Sequence, residues 1–137
     1  MHHTLFENQK DAIVLLARIA LMLLFVIFGW DKLTDFAGTV TYMAATGVPT
    51  PTVATIIAIG MEFFIGIALV LGVYTRPLAM LFALYTLGTA LIGHHFWTEM
   101  GDLRAQDMEG FFKNVSIVGG LLLLSVTGAG KYSVDKR

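Results

Sequence analysis

The chain has 137 residues, of which 56% are hydrophobic and only 14% are charged, and its mean hydropathy is +0.74. This composition is typical of an integral membrane protein rather than of a soluble domain. The net charge of −1 argues against nucleic acid as a partner, and the absence of cysteine excludes disulfides, thiol redox chemistry and Cys-ligated metals.

Four apolar segments approach the length of roughly 20 residues that a helix needs to cross the hydrocarbon core. We therefore predict an all-α fold, a polytopic membrane protein with four transmembrane helices in an antiparallel bundle, as a single domain over residues 1–137. The first segment lacks a small-residue cleavage pattern, which predicts a retained span and not a signal peptide. His2 and His3 precede it, either as native residues or as part of an expression tag. The four segments are Ala12–Trp30, Thr52–Val73, Leu78–Phe96 and Phe111–Thr127.

The connections between the spans also carry structural signals. Asp35 is placed to cap a short helix that ends before Gly47-Val48-Pro49. We predict an interfacial helix here, between the first and second spans, with an ordered loop that only covers the core as the alternative. The short turn at Arg76-Pro77 predicts an antiparallel hairpin of the second and third spans. Alternating spans place both termini on one face, and the basic residues of that face predict that it is cytoplasmic.

Two ionisable residues lie inside apolar segments, Arg18 in the first and Glu62 in the second. A charge in lipid is costly and needs a partner, protonation or hydration. At 1.5 Å per residue, Arg18 lies about 10 Å and Glu62 about 16 Å from the inner ends of their spans, a difference that an arginine side chain can cover. The sequence thus allows a buried Arg18–Glu62 pair. The alternatives are an Arg18 that extends to the headgroups and a Glu62 that serves only packing.

A second polar group gathers towards the outer ends of the spans. Aromatic residues surround it and by themselves indicate an interfacial belt, but Lys113-Asn114 lies just inside an apolar helix, where Glu62 can join it across a cavity. Adjacent helical residues point about 100° apart, so His94 and His95 cannot easily share one ion. No metal, haem or nucleotide cofactor and no catalytic residue is predicted, because the corresponding motifs are missing. The candidate ligand-binding or intramembrane polar residues are Arg18, Lys32, Glu62, His94, Lys113 and Asn114.

A resemblance to a known family rests on motifs spread over nearly the whole chain. These are Arg18, Gly29-Trp30-Asp31-Lys32-Leu33, Gly47-Val48-Pro49, Glu62, Gly72-Val73-Tyr74-Thr75-Arg76, His94, Phe96, Phe112-Lys113-Asn114 and the tail Gly128 to Asp135. In their order and spacing the chain resembles the DoxX family of small bacterial four-span membrane proteins, in particular its short inner-membrane branch. The resemblance implies a location in the bacterial inner membrane. Because the family name comes from a subunit associated with a thiosulfate:quinone oxidoreductase, it also implies a role linked to quinones, redox or sulfur stress.

Three functions remain open at this point. The first is a membrane redox accessory that binds a quinone or another lipid-soluble ligand and relies on a redox partner protein, since the chain has no electron carrier of its own. The second is a non-enzymatic structural or oligomeric component whose buried polar pair only specifies packing, with small residues such as Gly119-Gly120 allowing a homo-oligomer. The third is a small transporter or proton path, which is less favoured because the chain shows no clear inverted repeat.

Overall fold

The computed structural model describes residues 5–137, and His2 and His3 lie outside this range. Every regular element in it is helical. A 3₁₀ turn over Glu7–Gln9 leads into the first helix, and Phe96–Thr98 forms another such turn. Four helices are long and apolar enough to cross a membrane, which confirms the predicted all-α four-span fold. The helices are α1 (Lys10–Thr34), α2 (Phe36–Ala45), α3 (Pro51–Leu71), α4 (Thr75–Gly93) and α5 (Gly101–Thr127).

The short helix α2 lies between the first and second spans, as predicted. Asp35 ends α1 and caps α2, because its Oδ1 accepts a hydrogen bond from the backbone N–H of Gly38 at 3.2 Å. None of the residues of α2 is buried. The hydroxyl of Thr55 in α3 contacts the sulfur of Met43 at 3.4 Å, so α2 lies against the beginning of α3.

The last helix begins at Gly101, earlier than the apolar segment that starts at Phe111. The sequence from Leu103 to Glu109 is too polar for the hydrocarbon core but contains strong helix formers, and Asp102 stands in the first turn, where a carboxylate is favourable. A search for apolar segments therefore finds the span but not the whole helix.

The bundle buries few side chains, because apolar side chains on the outside of a membrane protein can face lipid instead of the protein interior. Its centre is formed by residues from all four long helices, and the rings of Phe25 in α1 and Phe82 in α4 meet edge to face with centroids 4.7 Å apart. Many large apolar side chains face outward instead, as a bilayer requires. The central residues are Met22, Phe25, Leu69, Ala79, Phe82, Ala83, Leu121 and Leu124.

The tail after α5 folds back onto the bundle. The N–H groups of Val134 and Asp135 donate to the carbonyls of Leu71 and Gly72 at 3.0 and 2.9 Å. The N–H of Lys131 donates to Asp11 at 3.4 Å, so the tail also reaches the beginning of α1. The start of α1 and the tail therefore share one end of the bundle, here called the termini end. The opposite end, which carries α2 and the 94–100 connection, is called the loop end.

Candidate functional site: a charged cluster at a π-helical turn

Helix α3 changes its winding in the middle. It is α-helical over Pro51–Ile59 and Gly66–Leu71, but Gly60–Ile65 forms a π-helix that contains Glu62. Such wider turns are rare and frequently occur at functional sites. Gly29 of α1 packs directly on this turn, since a Cβ atom at Gly29 would lie only 2.6 Å from the backbone nitrogen of Phe63. Glycine thus allows α1 to approach the backbone of α3 beside Glu62.

The carboxylate of Glu62 lies between two donors from neighbouring helices. The ammonium of Lys32 in α1 donates to Oε1 at 2.9 Å, and the hydroxyl of Tyr85 in α4 donates to Oε2 at 2.7 Å. The side chain of Glu62 is only 10% exposed, whereas that of Lys32 is 24% exposed. The opposite charge and the two hydrogen bonds compensate for the burial of the carboxylate. These three residues are called the Lys32–Glu62–Tyr85 cluster.

The predicted Arg18–Glu62 pair is wrong. The Nε and Nη2 atoms of Arg18 donate to the carbonyl of Val70 at 3.0 and 2.9 Å. Nη2 also donates to the carbonyl of Tyr132 at 2.7 Å, and Nη1 donates to that of Ala129. Helical side chains tilt towards the N-terminus of their helix. Arg18 therefore extends towards the termini end, away from Glu62, while Lys32 extends back along α1 towards Glu62.

Arg18 belongs to a network that closes the termini end. Its bond to Val70 satisfies a carbonyl in the last turn of α3, which has no partner within the helix. Asp135 accepts from the backbone N–H groups of Thr75 and Tyr74, at 2.7 and 3.0 Å, at the start of α4. The bond from Thr75 is the main reason that the pKa of Asp135 is lowered. Arg76 donates to the last carbonyls of α5. At this end, charged side chains bond to the backbone at the end of α3, the start of α4 and the end of α5.

The predicted outer group is not a single site. Asn114 is buried and donates to the hydroxyl of Thr89 at 3.3 Å, whereas Lys113 is exposed. Consecutive helical residues point in different directions, so only one of the two faces the bundle. His94 contacts Asp107 at 3.1 Å through Nδ1. The structure thus brings neither His94 nor Lys113 to Glu62, whose partners are Lys32 and Tyr85.

His95 and Glu99 form a second polar contact at the loop end. Nδ1 of His95 lies 3.8 Å from Oε1 of Glu99 and 2.7 Å from the hydroxyl of Thr98. The neighbouring carboxyl group of Asp107 raises the pKa of Glu99. Within residues 5–137, no three histidine or carboxylate side chains come close enough to hold a metal ion.

An open hollow of about 510 Å³ lies between α1 and α2 at the loop end. Lys32 lines this hollow and also binds Glu62, so it connects the intramembrane cluster to an accessible surface. The wall combines aromatic rings with hydroxyl and carboxylate groups. The other lining residues are Phe28, Asp31, Thr34, Asp35, Gly38, Thr39 and Tyr42.

Neither Tyr85 nor the partnership of Lys32 with Glu62 was predicted from the sequence. The sequence places Lys32 in the outer polar group, but it does not identify Lys32 as the direct partner of Glu62. A signal for Tyr85 exists, since it is a hydroxyl-bearing residue within the apolar third span. Tyr85 and Thr89 are four residues apart in α4 and share a helix face. The Asn114–Thr89 contact therefore lies one turn from the Lys32–Glu62–Tyr85 cluster.

The fold and the cluster define a small polytopic membrane protein with a charged site between its helices. The sequence model of the DoxX family matches residues 13–95, and the chain therefore belongs to the DoxX family. It is 52% identical over 132 residues to Inner membrane protein YphA of Escherichia coli (strain K12), covering 96% of this chain and 94% of the relative. Inner membrane protein YqjF of the same organism is 41% identical over 131 residues, covering 95% of each. No solved structure matches significantly.

Proposed function

We propose that this DoxX-family membrane protein is an accessory component of a membrane redox or stress pathway and binds a quinone or a similar lipid-soluble carbonyl compound. The single observation that supports the proposal is the position of Lys32. Its ammonium donates to Glu62 at 2.9 Å, and the residue lines the hollow at the loop end. The aromatic rings of Phe28 and Tyr42 also line the hollow, and apolar surface beside fixed polar groups is a common feature of small-molecule sites.

Each residue of the cluster has a distinct part in this proposal. Lys32 donates a hydrogen bond to a carbonyl oxygen of the ligand, while Phe28 and Tyr42 contact its ring. Glu62 fixes the direction of the ammonium, and Tyr85 fixes the second oxygen of Glu62. The sequence has no motif for an electron carrier, so a partner protein supplies or accepts the electrons. The protein binds and positions the ligand for that partner.

We also propose that both termini face the cytoplasm. The termini end carries more basic than acidic side chains, and the relatives YphA and YqjF are inner-membrane proteins. An alkaline phosphatase fused to the C-terminus should be inactive, and a fluorescent protein fused at the same position should fluoresce. An active phosphatase fusion would contradict this orientation and would mean that the hollow lies on the cytoplasmic side.

Mass spectrometry of the purified protein tests the ligand proposal. The protein is extracted gently from bacterial membranes, and the quinones that co-purify are quantified per mole of protein. Lys32→Met should reduce the retained quinone by at least roughly tenfold, the effect of losing one charge-assisted hydrogen bond. Lys113→Met is the matched control, because Lys113 is exposed and lies outside the hollow. Tyr85→Phe should cause a smaller loss, since Tyr85 acts through Glu62.

Two results would contradict the ligand proposal. One is equal retention of quinone by the Lys32 and Lys113 variants. The other is wild-type protein that carries no quinone and whose melting temperature does not change when decylubiquinone is added. Melting temperatures of all variants are measured in the same detergent, so that loss of ligand is separated from loss of fold.

The second candidate function, a structural component, is favoured by the complete pairing of Glu62 and by the close packing at Gly29. Under this alternative Glu62→Gln and Lys32→Met each destabilise the fold, and the double variant recovers part of the loss because no unpaired charge remains. Recovery without any bound quinone in the wild type would select this function. A homo-oligomer through small residues remains a prediction. Flux through proteoliposomes that depends on Glu62 would instead select a transport function.

A further inference from the structure

A groove of about 290 Å³ runs between α1 and α5 near the termini end. Helix α1 packs mainly on α3, and α5 packs mainly on α4, so the α1–α5 seam is only loosely closed. Both walls belong to apolar spans, and therefore the groove opens towards lipid. It is lined by Val14, Ala17, Arg18, Leu21, Gly120, Leu123, Leu124 and Thr127.

The wall of the groove suits a hydrocarbon chain. Its two polar side chains already have partners, because Arg18 binds backbone carbonyls and the Thr127 hydroxyl donates to the carbonyl of Leu123 at 2.9 Å. The lining on each helix covers seven residue steps, which corresponds to about 10 Å at 1.5 Å per residue. Gly120 keeps the groove open, since a Cβ atom there would lie 3.2 Å from Leu21. The space is thus narrow, elongated and apolar.

Three basic residues, Lys10, Arg76 and Lys131, lie near the end of the groove at Val14 and Thr127. The guanidinium of Arg76 donates to the carbonyl of Thr127 at 3.3 Å. The backbone of Lys131 is bonded to Asp11, three residues before Val14, and the exposed Lys10 is adjacent in sequence. The carboxylate of Asp11 is engaged by this bond, and that of Asp135 is engaged by the start of α4. Over the whole termini end the basic side chains outnumber the acidic ones, so the net charge there is positive. The basic residues are Lys10, Arg18, Arg76, Lys131, Lys136 and Arg137, and the acidic ones are Glu7, Asp11 and Asp135.

We propose that the groove binds one anionic phospholipid, with an acyl chain between α1 and α5 and its phosphate beside Lys10, Arg76 and Lys131. The apolar wall selects the chain, and the basic rim selects the charge of the headgroup. The bound lipid completes the seam that the protein itself leaves open. This site is separate from the Lys32–Glu62–Tyr85 cluster, and neither proposal depends on the other.

Native mass spectrometry in mixed micelles containing equal amounts of phosphatidylglycerol and phosphatidylethanolamine tests the proposal. The wild type should retain more phosphatidylglycerol than phosphatidylethanolamine. Gly120→Leu fills the groove and should abolish the preference, whereas Gly119→Leu should preserve it, because a Cβ at Gly119 has nothing within 4 Å. If Gly120→Leu does not fold, the groove can be filled from α1 instead. Ala17→Leu should abolish the preference, and Ala20→Leu is its control because Ala20 does not line the groove.

The rim is tested separately with Lys10→Gln and Lys131→Gln. Each change should lower the preference for phosphatidylglycerol roughly fivefold, the contribution of one basic residue near an anionic surface. Retention of phosphatidylethanolamine should stay unchanged. Equal retention of the two lipids by the wild type, or equal retention of phosphatidylglycerol by the Gly119 and Gly120 variants, would overturn the proposal.

Discussion

Replacement of Arg18 by methionine is the sharpest test of how the termini end is built. Methionine fills a similar volume but donates no hydrogen bond, so the carbonyls of Val70, Ala129 and Tyr132 lose their donor. An unsatisfied buried carbonyl costs about 1–3 kcal/mol. Hydrogen bonds in membrane proteins average only about 0.6 kcal/mol, because the unfolded chain also finds partners. We expect a loss of about 2–4 kcal/mol in the free energy of unfolding, and a smaller loss for Arg18→Lys.

Reversible unfolding in mixed micelles measures this loss, and limited trypsin digestion reports on the tail. Release of the tail should accelerate cleavage after Lys131 in Arg18→Met. Leu16→Ala provides the control, since Leu16 lies on the same helix, is 64% exposed and has no such bonds. This role of Arg18 is refuted if Arg18→Met unfolds like the Leu16 variant and its tail resists trypsin as well as that of the wild type.

Two further predictions concern packing and pH. Gly29→Ala should destabilise the protein by about 1–3 kcal/mol, because its Cβ would overlap the backbone of α3 at Phe63, while Gly88→Ala, with open space around it, should not. Equal melting temperatures of the two variants would contradict the close helix crossing. Backbone N–H bonds lower the pKa of Asp135 below its ordinary value of 3.8. The ionised carboxylate therefore stabilises the fold fully above that pH, and this contribution is lost as the pH falls through the lowered pKa. Asp135→Asn should therefore flatten the acid side of a melting-temperature profile, and an unchanged profile would contradict this role.

The fold was largely predictable because lipid imposes a simple rule on sequence. A spanning helix must be largely apolar over the part that crosses the hydrocarbon core, and this property can be seen without knowing the neighbours. The same rule makes Arg18 and Glu62 conspicuous, since each is a charge in an apolar segment. The capping of α2 by Asp35 was predictable for a similar reason, because a cap depends only on residues close in sequence.

The partners of the buried charges were not predictable from depth alone. Depth follows from counting residues, but contact also depends on the rotation of each helix and on the direction of each side chain. Arg18 and Glu62 have compatible depths, yet they do not bind each other. Arg18 donates to the carbonyl of Val70, whereas Glu62 accepts from Lys32. Likewise, Lys113 and Asn114 are neighbours in sequence, yet the rotation of α5 turns only Asn114 into the bundle.

The sequence by itself thus determined the class of protein, the four spans and the two charged positions within them, because these depend on composition and on local spacing. Only the tertiary structure decided that Glu62 binds Lys32 and Tyr85 on a π-helical turn and that Arg18 binds the folded tail. These contacts join residues that are distant in the chain. They depend on how closely α1 approaches α3 at Gly29 and on the N-terminal tilt of side chains along α1.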